Sequence, residues 1–161
     1  MSAHSLLTPL LLTHLCLFRQ LNLSDNRLCG FWTDKHGNMH GNYTAEGITA
    51  IADAVRVNGW LTALHLSSNR LEDEGIRAVC EAIKSNKETK LASLNMGKNR
   101  IGSVGAKSVA AMVAVTGGLT SLDLSNNALC GWTRYGGTYT AEGITAIADA
   151  LRVNGSLTEV R

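Results

Sequence analysis

Four stretches of the chain share one order of apolar and polar positions. They are FRQLNLSDNRL from Phe18, LTALHLSSNRL from Leu61, LASLNMGKNRI from Leu91 and LTSLDLSNNAL from Leu119, and LTEVR from Leu157 begins a fifth. Within each, apolar residues alternate with polar ones. Leu21/Leu23, Leu64/Leu66, Leu94/Met96 and Leu122/Leu124 lie at period two. Period two predicts a short strand with one buried face. Asn26, Asn69, Asn99 and Asn127 follow each strand at one fixed offset. A carboxamide there can bond the backbone groups that a turn leaves unpaired, so these four read as structural residues.

The pattern then changes period. Ile48, Ile51, Ala52 and Val55 fall at i, i+3, i+4 and i+7. So do Ile76, Val79, Cys80 and Ile83, then Ala106, Val109, Ala110 and Val113, then Ile144, Ile147, Ala148 and Leu151. Four amphipathic helices in one phase are expected. Thr44 and Thr140 are the expected N-caps, and Gly59, Gly118 and Gly155 the expected stops. Gly47, Gly75, Gly105 and Gly143 recur near each helix start, which points to close backbone packing. A phosphate cradle needs several glycines in one loop, and these are spread singly.

Composition narrows the classes. The chain has 161 residues, net charge +2, 45% hydrophobic and 17% charged residues. It lacks the charge density of a nucleic-acid binder. It also lacks an apolar run long enough to span a bilayer, so no membrane partner is expected. The Leu-rich start, Ser5 to Phe18, resembles the apolar part of a signal peptide. No basic residue precedes it and no small-residue cleavage site follows, so a cytoplasmic protein is expected, with secretion the minor alternative. Cys16, Cys29, Cys80 and Cys130 have neither CxxC nor zinc spacing. Cys29 and Cys130 share one repeat position three repeats apart, too far to pair.

Strand, asparagine turn and helix, at a basic period of 28 to 30 residues, resembles a leucine-rich repeat. LTSLDLSNNAL followed by an amphipathic helix is similar to the ribonuclease-inhibitor subtype, which also builds the repeat regions of NOD-like receptors and the Ran GTPase-activating protein. The resemblance implies an α/β solenoid, with parallel strands on a concave face and helices on the convex one. Residues 1–14 would be a degenerate repeat or cap. Residues 15–161 would hold four repeats and the start of a fifth. The chain stops at Arg161 within a strand, so a truncated array, a fragment of a larger sensor, or end-to-end self-association is expected.

The resemblance implies a non-catalytic protein-interaction module, with a small-GTPase activator or a structural piece of a receptor as alternatives. Repeats one and four carry insertions between strand and helix, FWTDKHGNMHGN from Phe31 and WTRYGGT from Trp132. Both lead into nearly identical segments, YTAEGITAIADAVRVNG from Tyr43 and YTAEGITAIADALRVNG from Tyr139. Insertions in a solenoid map to one rim. Trp32, His36, His40, Trp132, Arg134 and Tyr135 are therefore candidate partner contacts. The alternative for Trp32 and Trp132 is that they fold back over the helix starts.

The concave face offers Asn22, His65, Asn95 and Asp123 as further candidates, among Gln20, Ser24, Ala63, Ser67, Ser93, Gly97, Ser121, Ser125, Glu159 and Arg161. Arg27, Arg70 and Arg100 recur at one turn position and read as solvated. Glu72, Asp73 and Glu74 read as acids favoured by a helix start. His36, His40 and Asp34 suggest a metal set, but Gly37 and Gly41 argue against the helical face it needs. No catalytic set, cofactor or metal is expected.

Overall fold

The computed structural model describes residues 19–30, 32–131 and 136–161. Residues 1–14, Trp132, Arg134 and Tyr135 lie outside them. Five short strands, β1 (Gln20–Asn22), β4 (Ala63–His65), β5 (Ser93–Asn95), β6 (Ser121–Asp123) and β7 (Glu159–Val160), form one parallel sheet in the order β1-β4-β5-β6-β7. Successive repeats pair in register: Leu21 with Leu64, Leu64 with Leu94, Leu94 with Leu122, and Leu122 with Val160. Each strand is separated from the next by a helix: α1 (Glu46–Val57), α2 (Glu72–Ser85), α3 (Ser103–Val113) and α4 (Glu142–Val153). Alternating strands and helices with every sheet neighbour parallel is an α/β solenoid.

The core is a slab between the sheet and the helices. Leu64, Leu66, Leu94, Met96 and Leu122 enter it from the strands. Ile48, Ile76, Ile83, Val109 and Val113 meet them from the helices. Cys80, at a stripe position held by alanine in the other repeats, is buried as a small apolar residue. Helix α4 departs from its expected stripe. Ile147 is buried, but Ile144 is 43% exposed and Ala148 lies open as well. The same positions of α1, Ile48 and Ala52, are covered by the helix of the next repeat.

The turn asparagines form a ladder across repeats. Asn99 Oδ1 accepts Asn69 N–H at 2.9 Å and Leu71 N–H at 3.4 Å, and its Nδ2 donates to Leu66 O (2.9 Å) and Met96 O (3.1 Å). Asn69 does the same for Asn26 and Leu28, and Asn127 for Asn99 and Ile101. Asn69 and Asn99 are fully buried, and each is satisfied because its partners are backbone groups of two repeats. The turns that present these groups are tight. Arg27, Arg70 and Arg100 hold left-handed φ of 53°, 54° and 60°.

The glycines near the helix starts are needed for approach. A Cβ on Gly47 would strike the Leu28 carbonyl oxygen, and one on Gly143 the Leu129 carbonyl oxygen. On Gly105 it would lie 2.6 Å from an Asp73 carboxylate oxygen. Asp73 fixes that junction: its Oδ1 accepts Gly102 N–H at 2.6 Å, at the start of α3. The acidic cluster thus does more than complement its own helix dipole. Thr44 and Thr140 accept the Glu46 and Glu142 N–H at 3.3 Å. They act one residue before the formal caps, Ala45 and Ala141.

Helices α1 and α4 stop where the glycines predict, two residues before Gly59 and Gly155, but not through a glycine cap. Helices α1, α2 and α4 close on Asn58, Asn86 and Asn154, which stand in extended backbone. Gly59, Gly118 and Gly155 do not take the left-handed conformation of a glycine cap. The asparagine side chains bind backbone on both sides instead, so no left-handed residue is required.

Candidate functional site

The insertion of repeat one is a β-hairpin, where the sequence suggested a loop. Strand β2 (Trp32–Thr33) pairs antiparallel with β3 (Met39–His40), placing Trp32 opposite His40. The chain enters through Gly30 (φ +70°), whose N–H bonds Arg27 O at 3.0 Å. It returns with Thr44 N–H on Cys29 O at 3.1 Å. Asp34 organises the tip. Its Oδ1 accepts the backbone N–H of His36 (2.8 Å) and Asn38 (2.9 Å), and its Oδ2 accepts Asn38 Nδ2 at 3.0 Å. Gly37, at φ +88°, turns the chain.

One face of the hairpin is a stack. The Trp32 and His40 rings lie 4.4 Å apart at 22°, and the Arg27 guanidinium sits 4.6 Å from the centre of the Trp32 ring. His40 Nε2 lies 3.0 Å from Asp34 Oδ2. The hydrogen bonds from His40 and Asn38 hold the Asp34 carboxyl down at about 2. Trp32 is half-buried. It packs against His40 of its own hairpin and against Arg27. Met39 (57% exposed) and His36 face solvent on the hairpin. His40 and Asp34 therefore serve each other. Among the described residues no group of three or more His, Cys, Asp or Glu is placed to hold a metal.

Tyr43, at the exit of the hairpin segment, ties it to the next repeat: its Oη donates to Leu71 O at 2.7 Å. Burial pushes its phenol up, and burial likewise raises the Cys29 thiol beside it. The Cys80 thiol is pushed up to about 12 by burial. Neither buried thiol is poised as a nucleophile. Cys29, Cys80 and Cys130 are unpaired.

Repeat four frames its insertion in the same way. Gly131 N–H bonds Ala128 O at 2.7 Å, and Thr140 N–H bonds Cys130 O at 2.8 Å. Both insertions thus leave and rejoin the scaffold at equivalent points, beyond the C-terminal ends of the strands.

The concave face sets Asn22, His65, Asn95 and Asp123 in one cross-strand row, by register. Three of them are partly engaged in their own turns. Asn22, Asn95 and Asp123 accept the N–H two residues on, at 3.0, 3.0 and 2.9 Å. By register Ala63 shares the outward face with Gln20 and Ser93, as expected, but it is only 7% exposed and offers no contact surface, because its methyl group is too short to reach past its neighbours. Gly97 is covered for a similar reason, with Ser125 against it. Arg100 approaches Glu72 at 3.9 Å, and Arg27 covers Trp32, so these two turn arginines are part of local contacts.

Comparison with known proteins agrees with this geometry. The Leucine Rich repeat family model matches residues 57–80 and 87–110, which run through repeats two and three. The chain is therefore a leucine-rich-repeat protein. Its repeats are of the ribonuclease-inhibitor-like kind. It is 30% identical to human NACHT, LRR and PYD domains-containing protein 5 over 79% of this chain and 11% of the relative. It is also 30% identical to mouse ribonuclease inhibitor over 75% of this chain and 29% of that one. The chain thus spans less than a third of either relative's length. In fold it is similar to the Leiomodin-1 Actin-Binding Site 2 structure, with a TM-score of 0.67 at 19% identity over 89% of this chain and 69% of that one.

Proposed function

We propose that this chain is a non-catalytic protein-binding module whose contact surface is the strand-end rim, with the concave face beside it. The observation that carries the reading is the repeat-one hairpin. It is an insertion whose tip is hydrogen-bonded to Asp34, presenting Met39, His36 and the Arg27–Trp32–His40 stack beside the repeat scaffold. Aromatic and arginine side chains fixed on loops are typical interface anchors. The unpaired thiols suit a reducing, intracellular compartment.

The test is affinity capture from source-cell lysate with the native chain, Trp32→Ala and the convex-face control Thr145→Arg, each shown to be folded by circular dichroism. A partner held by native chain and control and lost by Trp32→Ala supports the rim. A partner held equally by all three refutes it.

Contact between chains is a second reading. It is favoured by α4, which exposes Ile144 and Ala148 where α1 buries Ile48 and Ala52, with Tyr139 exposed just before the helix where Tyr43 is half-buried. Concentration-dependent sedimentation abolished by Ile144→Asp is its expected signature, and a monomer at all concentrations removes it.

A further inference from the structure

The helix-end asparagines form a second ladder, and it is interrupted once. At the first junction, Asn86 Nδ2 donates to Val55 O and Asn58 O, both at 2.8 Å. At the third, Asn154 Nδ2 donates to Val113 O (2.7 Å) and Thr116 O (3.0 Å). The oxygen of each amide serves its own turn. Asn58 Oδ1 accepts the N–H of Trp60 and Leu61, both at 2.8 Å, and Asn154 Oδ1 those of Ser156 and Leu157, both at 2.9 Å. The equivalent residue of repeat three is Thr116. Its hydroxyl donates back to Met112 O at 3.1 Å, within its own repeat.

Two sets of backbone groups are left short at this middle junction. Ile83 O accepts only Asn86 N–H (3.2 Å), and Asn86 O only Thr89 N–H at 3.5 Å, the edge of hydrogen-bond range. Gly118 N–H and Leu119 N–H have no acceptor among the described residues. The four residues that carry these groups line one cleft of about 320 Å³, between the ends of α2 and α3. Polar backbone in such a place favours a partner.

We propose that this cleft binds a primary carboxamide, the Asn or Gln side chain of a protein partner. The chemistry selects the group. A carboxylate gives no donor to the two carbonyls, and an ammonium or guanidinium gives no acceptor to the two N–H groups. A carboxamide supplies an NH₂ and an oxygen on one carbon. Asn154 already makes all four bonds at the third junction, and Asn86 makes the two carbonyl bonds and one N–H bond, from Glu88, at the first, so the chain carries its own model of the bound state. The site lies at the helix C-terminal ends, away from the hairpin, and stands whether or not the rim is a contact surface.

The test uses the full chain, ¹⁵N-labelled, with the peptide acetyl-Gly-Gln-Gly-N-methylamide and its Glu counterpart. The Gln peptide is expected to move the Gly118 and Leu119 amide resonances, with millimolar-range saturation, and the Glu peptide to leave them in place. Thr116→Asn, which fills the cleft from within, is expected to weaken the response at least tenfold. Equal response to both peptides, no response, or an unchanged response in folded Thr116→Asn each overturns the proposal. If Thr116→Asn does not fold, the Gln/Glu comparison on the native chain decides.

Discussion

Thr116→Asn also makes a stability prediction. The new side chain stands where Asn86 and Asn154 stand in their repeats, so Nδ2 meets Ile83 O and Asn86 O, and Oδ1 meets Gly118 N–H and Leu119 N–H. Each such bond contributes a net of about 0.5–1.5 kcal/mol. Against this, the Thr116 hydroxyl bond to Met112 O is lost, at about 1 kcal/mol. Ordering the longer side chain costs up to about 1 kcal/mol more. The balance is a gain of about 2 kcal/mol, because at least three of the four new bonds are made by groups that now lack a strong partner. For a domain of this size that raises Tm by about 4–8 °C. Thermal and urea unfolding followed by circular dichroism at 222 nm measure it. The reverse change, Asn154→Thr, is expected to lower the midpoint comparably. An unchanged or lower midpoint in Thr116→Asn, with helix content kept, refutes the argument. It would mean that the four backbone groups are satisfied by solvent at no cost.

Asn99→Ala removes the centre of the turn ladder and strands buried groups of two repeats. A loss of about 3 kcal/mol or more, read as a fall in the urea midpoint, is expected. Gly143→Ala pushes a methyl group into backbone at Leu129 and Ser103 and is expected to cost about 1–3 kcal/mol. Gly117→Ala, with nothing within 4 Å of the added Cβ and an ordinary φ, is expected to be neutral or stabilising by up to about 1 kcal/mol. For the hairpin, the Asp34 carboxyl is lowered to about 2 in the folded chain. A lowered carboxyl stabilises the state that lowers it above the unfolded value near 4, and the effect fades as pH falls towards 2. Amide resonances of His36 and Asn38 in the folded chain should therefore titrate with a midpoint at about pH 2, and in Asp34→Asn that step should vanish.

The first ladder was legible because its asparagines recur at one offset from an alternating strand, and no catalytic role demands such regularity. The second was not. Asn58 and Asn154 precede Gly59 and Gly155, and asparagine–glycine at a helix end reads as a glycine stop. The partners of Asn86 and Asn154 are carbonyls one repeat away, at separations of 31 and 41 residues. The signal was the residue type shared by Asn58, Asn86 and Asn154, and its replacement by Thr116. Asp73 was hidden similarly: acids at a helix start have a local explanation, and its bond to Gly102 crosses 29 residues. The hairpin was obscured by its own shortness, since two residues per strand show no alternation.

The duplicated helices separate what sequence fixes from what packing adds. From Glu46 to Arg56 and from Glu142 to Arg152 the chain differs only where Val55 becomes Leu151. Propensity and capping are therefore shared, down to the threonine bonds at 3.3 Å. Yet Ile48 is wholly buried while Ile144 is 43% exposed, because α2 lies against α1 and no described helix lies beyond α4. Ile48→Ala removes a packed side chain and is expected to cost about 2–5 kcal/mol. Ile144→Ala strips a half-wet one, and alanine's better helix propensity returns a few tenths, leaving about 1 kcal/mol or less. Urea midpoints of the two variants isolate the contribution of the neighbouring repeat, since the local sequence cancels. Equal losses at the two sites would show that each helix is stabilised from within its own repeat, contrary to a solenoid whose cohesion comes from stacking.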